Sequence, residues 1–306
     1  MSPAAKRHEV IIDGRTLSLS NLDKVMYPAT GFTKAEVVDY YARVAPVMLP
    51  HLAGRPITLV RWPDGVDGNH FFEKNCPKHR PPWMPTVEMA VSEKTHVKFC
   101  RLDEPAALAW TANMAALELH PGLATEADLR RPTWVVFDLD PGPPATAVEC
   151  AQVALWLREV FDGLGLTAGV KTSGSKGLQV YVPLHTGVTY EETSTFSLAI
   201  AQLLEKWHPK EIVTVQTKDL RAGKVLIDWS QNSYHKTTVG VYSLRAREKP
   251  TVSTPITWAE VEALHESGDP ESVRFVAGAV LQRIEEHGDL WAGLLHTEQE
   301  LPSVGG

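Results

Sequence analysis

Val135-Val136-Phe137-Asp138-Leu139-Asp140, ended by Pro141-Gly142, is the most informative stretch of this chain. An apolar run closed by Pro-Gly reads as a strand over Trp134–Asp140, and on a strand residues two apart share a face. Asp138 and Asp140 therefore project together, while Phe137 and Leu139 face a core. Two carboxylates so placed repel unless a cation sits between them, and hard ions such as Mg²⁺ or Mn²⁺ suit them. A second run, Val225-Leu226-Ile227-Asp228-Trp229, sets a lone Asp in an apolar strand, where an unpaired charge is costly. Three Asp from two strands supply what a two-metal site for in-line phosphoryl transfer needs. The competing reading is that Asp138 and Asp140 merely end a strand and cap the turn at Pro141. The Asp-x-Asp motif alone leaves the two level; Asp228 in a similar setting favours the metal site.

Downstream of this strand the pattern predicts a helix over Thr146–Phe161 and two short strands, Gly169–Thr172 and Leu178–Pro183. The turn joining them, Lys171-Thr-Ser-Gly-Ser-Lys-Gly177, can cradle a phosphate. Gly174 and Gly177 let the backbone come close, Ser173 and Ser175 offer hydroxyls, and Lys176 offers a charge. It lacks Walker A spacing, and a Gly/Ser hairpin turn with one Lys is common. A helix over Tyr190–Trp207 follows. Strands over Ile212–Gln216 and Lys224–Trp229 then flank Lys218–Gly223. Arg221 and Lys224 precede Asp228; Lys236, Arg245 and Arg247 follow it. Cations on both sides of such a strand suit a substrate that is metal-chelated and polyanionic, or else form a solvated basic loop.

Upstream, Glu9–Ser20 reads as a hairpin turning at Asp13-Gly14. Thr33 caps a helix running to about Met48, and Pro56–Trp62 is a strand. Asn75–Pro85 is Pro-rich and irregular. Asp103 caps a helix with Pro105 in its first turn, running to about Glu118 and ended by His120, a position where a lone His is more often a helix cap than a catalyst. Phe71 and Phe72 cannot both enter one core from an extended chain. Either one is exposed, as a platform on which bases stack, or a turn buries both. The tail carries helices near Trp258–Glu266 and Glu271–His287. Elements mix without strict alternation, which predicts an α+β fold with mixed or antiparallel sheets.

The chain has 306 residues, of which 43% are hydrophobic and 22% charged, enough to bury a core and exclude wholesale disorder. It contains no apolar run of 18 residues, and its opening MSPAAKRHEV is no secretory signal. Cys76, Cys100 and Cys150 are too few for a disulfide framework. Cys76-x2-His79 is at best half a zinc site, which His96 and Cys100 complete only at poor spacing. These features predict a soluble cytoplasmic protein. The net charge of −7 argues against a blanket nucleic-acid binder. Residues 206–249 nevertheless carry +5 and residues 250–306 carry −8, a segregation that can hide a polyanion site or simply give two solvated faces.

Together these segments resemble the polymerase domain of bacterial ligase D, of the archaeo-eukaryotic primase superfamily. The resemblance runs from about Leu17 to Leu290. It rests on Asn-Leu-Asp-Lys-Val-Met-Tyr-Pro at 21–28, Phe-Phe-Glu-Lys at 71–74, Leu-Glu-Leu-His at 117–120, Phe-Asp-Leu-Asp-Pro at 137–141, Thr-Ser-Gly-Ser-Lys-Gly at 172–177, Leu-Arg-Ala-Gly-Lys at 220–224 and Asp-Trp-Ser-Gln-Asn at 228–232. It implies one primase-polymerase catalytic domain over 1–306, with two sub-domains around a cleft. Its N-terminal sub-region would span about 1–130, its catalytic sub-region about 131–250 and an acidic helical tail about 251–306.

The activity so implied is template-directed nucleotidyl transfer, often favouring ribonucleotides, with two Mn²⁺ or Mg²⁺ ions. The chain would fill short gaps and process ends in double-strand break repair by non-homologous end joining, or in excision repair. By the resemblance Asp138, Asp140 and Asp228 hold the metals. His120, Ser173, Lys176, Gln179, Arg245 and Lys236 contact the incoming nucleoside triphosphate. Asn21, Lys24 and Lys34 hold a 5′-phosphate, and Phe71, Phe72, Arg221, Lys224 and Gln231 contact DNA. The implied partners are gapped or broken double-stranded DNA, Ku and a separate DNA ligase, in a cytoplasmic, nucleoid-associated setting. Relatives usually carry His where this chain has Gln179, and Gln cannot bear a positive charge. The chain also lacks a nucleotidyl-lysine Lys-x-Asp-Gly motif, the pattern expected of a free-standing paralogue. The rival activities are a de novo primase, a catalytically weak DNA-end synapsis adaptor and a metal-dependent phosphohydrolase.

Overall fold

The computed structural model describes residues 7–92, 94–185 and 187–302. The chain forms two units and crosses between them five times. The first unit takes the chain to Pro121, then Val239–Val252 and Val276–Gly288; the second takes Gly122–Thr238, Ser253–Phe275 and the chain from Asp289. The acidic tail is thus shared between the units and is not a third body.

The second unit is built on a six-stranded sheet. Its order is Ile212–Val213, Val225–Asp228, Trp134–Pro141, Leu178–Pro183, Gly169–Thr172 and Pro255–Ile256. All neighbours are antiparallel except the first pair, which gives the mixed α+β architecture. Val135, Phe137 and Leu139 alternate into a core shared with the helices Ala147–Gly163 and Tyr190–Trp207. Each helix starts at a reciprocal capping box, Thr146 with Glu149 and Thr189 with Glu192. The opposite phase of the central strand carries Asp138, half-buried, and Asp140, exposed. The strand at Ile212 ends at Val213, short of Gln216, as the Thr214 carbonyl turns to accept from the Trp229 indole. Asn232 holds the central strand where its neighbour stops. Its side chain accepts from the Val136 N–H at 2.8 Å and donates to the Val136 carbonyl at 2.7 Å, completing a ladder rung with a side chain.

In the first unit, Ile57–Arg61 pairs with Phe71–Glu73, with Ala116–Pro121 and, through Ile57, with His96–Cys100, which pairs with Thr86–Ala90. The hairpin Arg7–Ile12/Arg15–Ser20 turns at Asp13 and Gly14, both at positive φ, as a two-residue hairpin turn requires. The helix capped by Thr33 runs over Lys34–Leu52, continuing through Pro46 and Pro50. It packs against Pro105–Asn113, whose residues Ala106–Ala112 are all buried. The hydroxyls of Tyr40 and Tyr41, buried in this unit, donate to the carbonyls of Tyr242 and Leu117.

Four sequence expectations are corrected. The helix from Pro105 stops at Asn113, because Ala115 takes a left-handed φ of 59°, and Ala116–Pro121 is a strand; His120 therefore stands on a strand and caps no helix. Glu104 occupies the N-cap, while Asp103 pairs with Arg101. The last helix begins at Ala277, after a 3-10 turn over Pro270–Val273 and the crossing at Phe275.

Finally, Cys76 and Cys100 are joined in a disulfide, which uses up the thiols of the candidate half zinc site. It closes a loop of sequence separation 24, for which loop-closure entropy gives about 3.5 kcal/mol. Reduction should therefore lower stability by about 2–4 kcal/mol. Urea unfolding with and without a dithiol reductant reads this directly, and Cys100→Ser, which lacks the bond, should unfold at the same urea concentration in both.

Candidate active site

In the second unit, strand register gathers the acidic residues. Asp138 lies opposite Asp228 on one neighbouring strand and opposite Gln179 on the other, and Asp140 follows two residues along the same face. Burial pushes the Asp138 carboxyl up to about 7, and the charges of Asp140 and Asp228 add to the rise while a hydrogen bond from Gln179 opposes it. Asp228 is buried, and its oxygens accept from the Ser230 N–H, the Ser230 hydroxyl and the Gln231 amide. Lys236 donates to the Ser230 hydroxyl at 2.6 Å, so a cation reaches Asp228 through one bridging group.

Among the described residues no three His, Cys, Asp or Glu side chains are closed around one point. The donor set still fits a hard divalent cation. It is all carboxylate oxygen, it comes from adjacent strands, and its members raise one another's energy until a positive charge relieves them.

The phosphate loop lies against this strand. A Cβ at Gly177 would overlap the Leu139 carbonyl oxygen, so only glycine lets the loop approach the Asp138–Asp140 strand this closely. The Ser173 hydroxyl accepts from the N–H groups of Ser175 and Gly177 at 3.2 Å each, and Gly174 takes a positive φ of 65°. Lys176 stays exposed at the loop tip. Next to the loop, a cavity of about 280 Å³ is lined by Pro141, Thr146, Gly174, Lys176 and Arg274 among others. Arg221 donates to Gln216 and Lys224 to the Pro209 carbonyl, so these hydrogen bonds tie neighbouring chain segments and do not reach the acidic cluster.

The first unit holds two further clusters. His120 bonds Glu118 at 2.8 Å through Nε2, and Arg245 pairs with the same carboxylate at 3.2 Å. The Ala246 N–H donates to its other oxygen. Against the cost of burial, these partners hold Glu118 down at about 2. Sequence reading missed Glu118, although its i, i+2 spacing to His120 on a strand signals a shared face.

The second cluster is cationic. Lys34 is buried, with its ammonium donating to the Ser20 carbonyl at 2.7 Å; Lys24 donates to the Pro63 carbonyl and Asp64, and Asn21 sits beside them at a φ of 54°. Burial, then Lys24, then Arg61 bring the Lys34 ammonium down to about 8. Arg61 is the member sequence reading missed. It lies over the Phe71 ring at 5.2 Å and pairs with Glu73.

Phe71 and Phe72 are 43% and 59% exposed, so both are open on an edge strand. The ring of His70 stacks on Trp62 and meets Phe72 edge-on, and Phe72 meets His120 the same way.

The family described as LigD, primase-polymerase domain, matches residues 33–291. The multifunctional non-homologous end joining DNA repair protein LigD of Mycobacterium tuberculosis is 44% identical over 283 residues, covering 90% of this chain and 36% of that protein. The bifunctional LigD of Bacillus subtilis is 32% identical over 287 residues, covering 94% of this chain and 45% of that protein. This chain thus spans less than half the length of either relative. Among solved structures, the polymerase domain from Mycobacterium tuberculosis ligase D in complex with DNA matches with a TM-score of 0.85 at 42% identity, covering 92% of this chain and 98% of that one. A family match over most of the chain, agreeing in fold with the solved domain, places this chain in the LigD primase-polymerase domain family.

Proposed function

We propose that this chain fills short gaps and processes broken ends in duplex DNA that carry a 5′-phosphate, adding nucleotides, ribonucleotides by preference, as the template directs. The nucleotidyltransferase class comes with the family. The observation that carries the site assignment is the register that sets Asp138 opposite Asp228 and in line with Asp140. Two Mn²⁺ or Mg²⁺ ions bound there would supply activation of the attacking hydroxyl and charge neutralisation on the triphosphate. Asp138, Asp140 and Asp228 would hold them. Ser173 and Lys176 would position the phosphates from the glycine-bearing loop, with Gln179 and Lys236 behind the carboxylates. His120 and Arg245, fixed by Glu118, are proposed as further contacts to the nucleotide.

A 5′-phosphate suits Lys24, Lys34 and Arg61, because burial and the two neighbouring cations still bring the Lys34 ammonium down although Asp64 and Glu73 pair with those cations, and a further anion would relieve it. Exposed Phe71 and Phe72 suit base stacking. Such a local cationic site binds DNA even in a chain of net charge −7. Gln231, Arg221 and Lys224 are proposed DNA contacts on the resemblance alone. Ku and a ligase are proposed companions because the relatives are named for end joining.

Primer extension across a short gap, with and without a 5′-phosphate, tests this reading. Template-matched addition that the phosphate stimulates, stronger with ribonucleotides, is the expected result. Unprimed synthesis would favour a primase. Tight gap binding with no addition under either metal would favour an adaptor.

A further inference from the structure

Lys171 is fully buried, and sequence reading placed it only at the edge of the phosphate loop. A buried ammonium is costly unless its donors are used. Here it donates to Gln179 Oε1 at 2.6 Å and to the Ser253 hydroxyl, which passes a bond on to the Thr172 carbonyl, and it faces the Tyr181 ring at 5.5 Å. Gln179 is also buried. Its Nε2 donates to Asp138 Oδ1 at 3.0 Å and to the Thr238 hydroxyl at 3.1 Å.

An ammonium can only donate, so it fixes which end of the Gln179 amide faces it. The oxygen must turn to Lys171, and the NH₂ must turn to Asp138. Lys171 and Asp138 thus fix the amide from its two ends; without Lys171 the oxygen loses its donor and only the carboxylate orients the group.

We propose that Lys171 is a positioning residue: its ammonium locks the Gln179 amide so that Gln179 holds Oδ1 of Asp138 and leaves Oδ2 of that carboxylate for the cation. The inference rests on the reading of Asp138 as a metal ligand and goes one step behind it. It also gives Gln179 a role that requires no positive charge of its own. The charge lies one residue further back, out of reach of substrate.

The test is Mn²⁺ uptake by the whole chain, without DNA or nucleotide, read from the electron paramagnetic resonance signal of the free ion. Gln179→Leu and Lys171→Met should each weaken Mn²⁺ binding on the order of tenfold, as loss of groups that orient metal ligands does. The double variant should bind no more weakly than either single one, because both substitutions remove the same hydrogen bond. The double variant removes the ammonium and its acceptor together, and because Asp138 and Thr238 still lose the Gln179 amide, circular dichroism of each variant checks that it folds.

Unchanged Mn²⁺ affinity in Lys171→Met overturns the proposal, as does tighter binding from simple loss of a positive charge. Losses that multiply in the double variant also overturn it, since Lys171 would then act independently of Gln179. If the unsubstituted chain and Asp138→Ala both take up no Mn²⁺, the metal-site reading itself has failed, and this inference falls with it.

Discussion

Asp138→Ala should lower nucleotide addition by about 10³-fold or more, ~4 kcal/mol of transition-state stabilisation, while binding to a gap with a 5′-phosphate stays within about twofold. The asymmetry follows from where the groups lie. Asp138 belongs to the sheet of the second unit, while Lys24, Lys34 and Arg61 are side chains of the first. The substitution also removes a carboxyl that burial and two like charges hold up at about 7, so the variant should melt no lower than the parent. Gap affinity by fluorescence anisotropy, set beside single-turnover extension, separates the two effects. Equal loss of both would remove Asp138 from the chemistry.

Lys24→Ala with Lys34→Ala should erase the preference for a phosphorylated gap, a loss of about 10- to 100-fold in affinity on that substrate alone. The unphosphorylated gap should bind the double variant about as it binds the parent. If the preference survives, the two lysines are ordinary surface and core residues. A pH series offers an independent check. Lys34 titrates near 8 in the folded chain and at the ordinary lysine value of 10.5 when unfolded. The unfolded chain therefore holds the proton more tightly, and this group's contribution to stability rises with pH between about 8 and 10.5. The charge that a phosphate would use disappears over the same interval. Preference for the phosphorylated gap should thus fall above about pH 8 while the fold gains stability, opposite trends that general alkaline damage would not give.

Local rules made much of this chain legible. The strand at Trp134, the strands Gly169–Thr172 and Leu178–Pro183, and the helix Tyr190–Trp207 announce themselves by alternation, by a Gly/Ser turn and by a Thr-x-x-Glu capping box. So does the pairing of Asp138 with Asp140 on one face. What stayed hidden depends on contacts distant in sequence. The helix from Pro105 is apolar on all sides, so it has no period to mark its end, and the residue that ends it is an alanine in the left-handed region, where glycine is the usual signal. For that reason the sequence alone puts His120 at the end of a helix, whereas it stands on the strand Ala116–Pro121. The Cys76–Cys100 bond depends on where the sheet brings His96–Cys100, through Ile57. Lys171 and Lys176 look alike in the loop sequence, yet one ammonium is sealed under the sheet against Gln179 and the other is exposed. Arg61 joins the lysines of residues 24 and 34 only because the strand Ile57–Arg61 ends beside them.

The interleaving of the two units sets a timetable for synthesis. A ribosome delivers Pro121 early, but the hairpin carrying Arg245 and the helix Ala277–His287, both parts of the first unit, come only after most of the second unit has been made. At about 5–20 residues per second the wait is roughly ten to thirty seconds. Through that interval the long helix Lys34–Leu52 and the strand Ala116–Pro121 lack their last partners, and their apolar faces stay open to chaperones or to other nascent chains. The central strands of the second unit all come from one continuous stretch and can pair during that wait, while its edge strand Pro255–Ile256 and the chain from Asp289 arrive later, so neither unit is complete until the chain is almost finished.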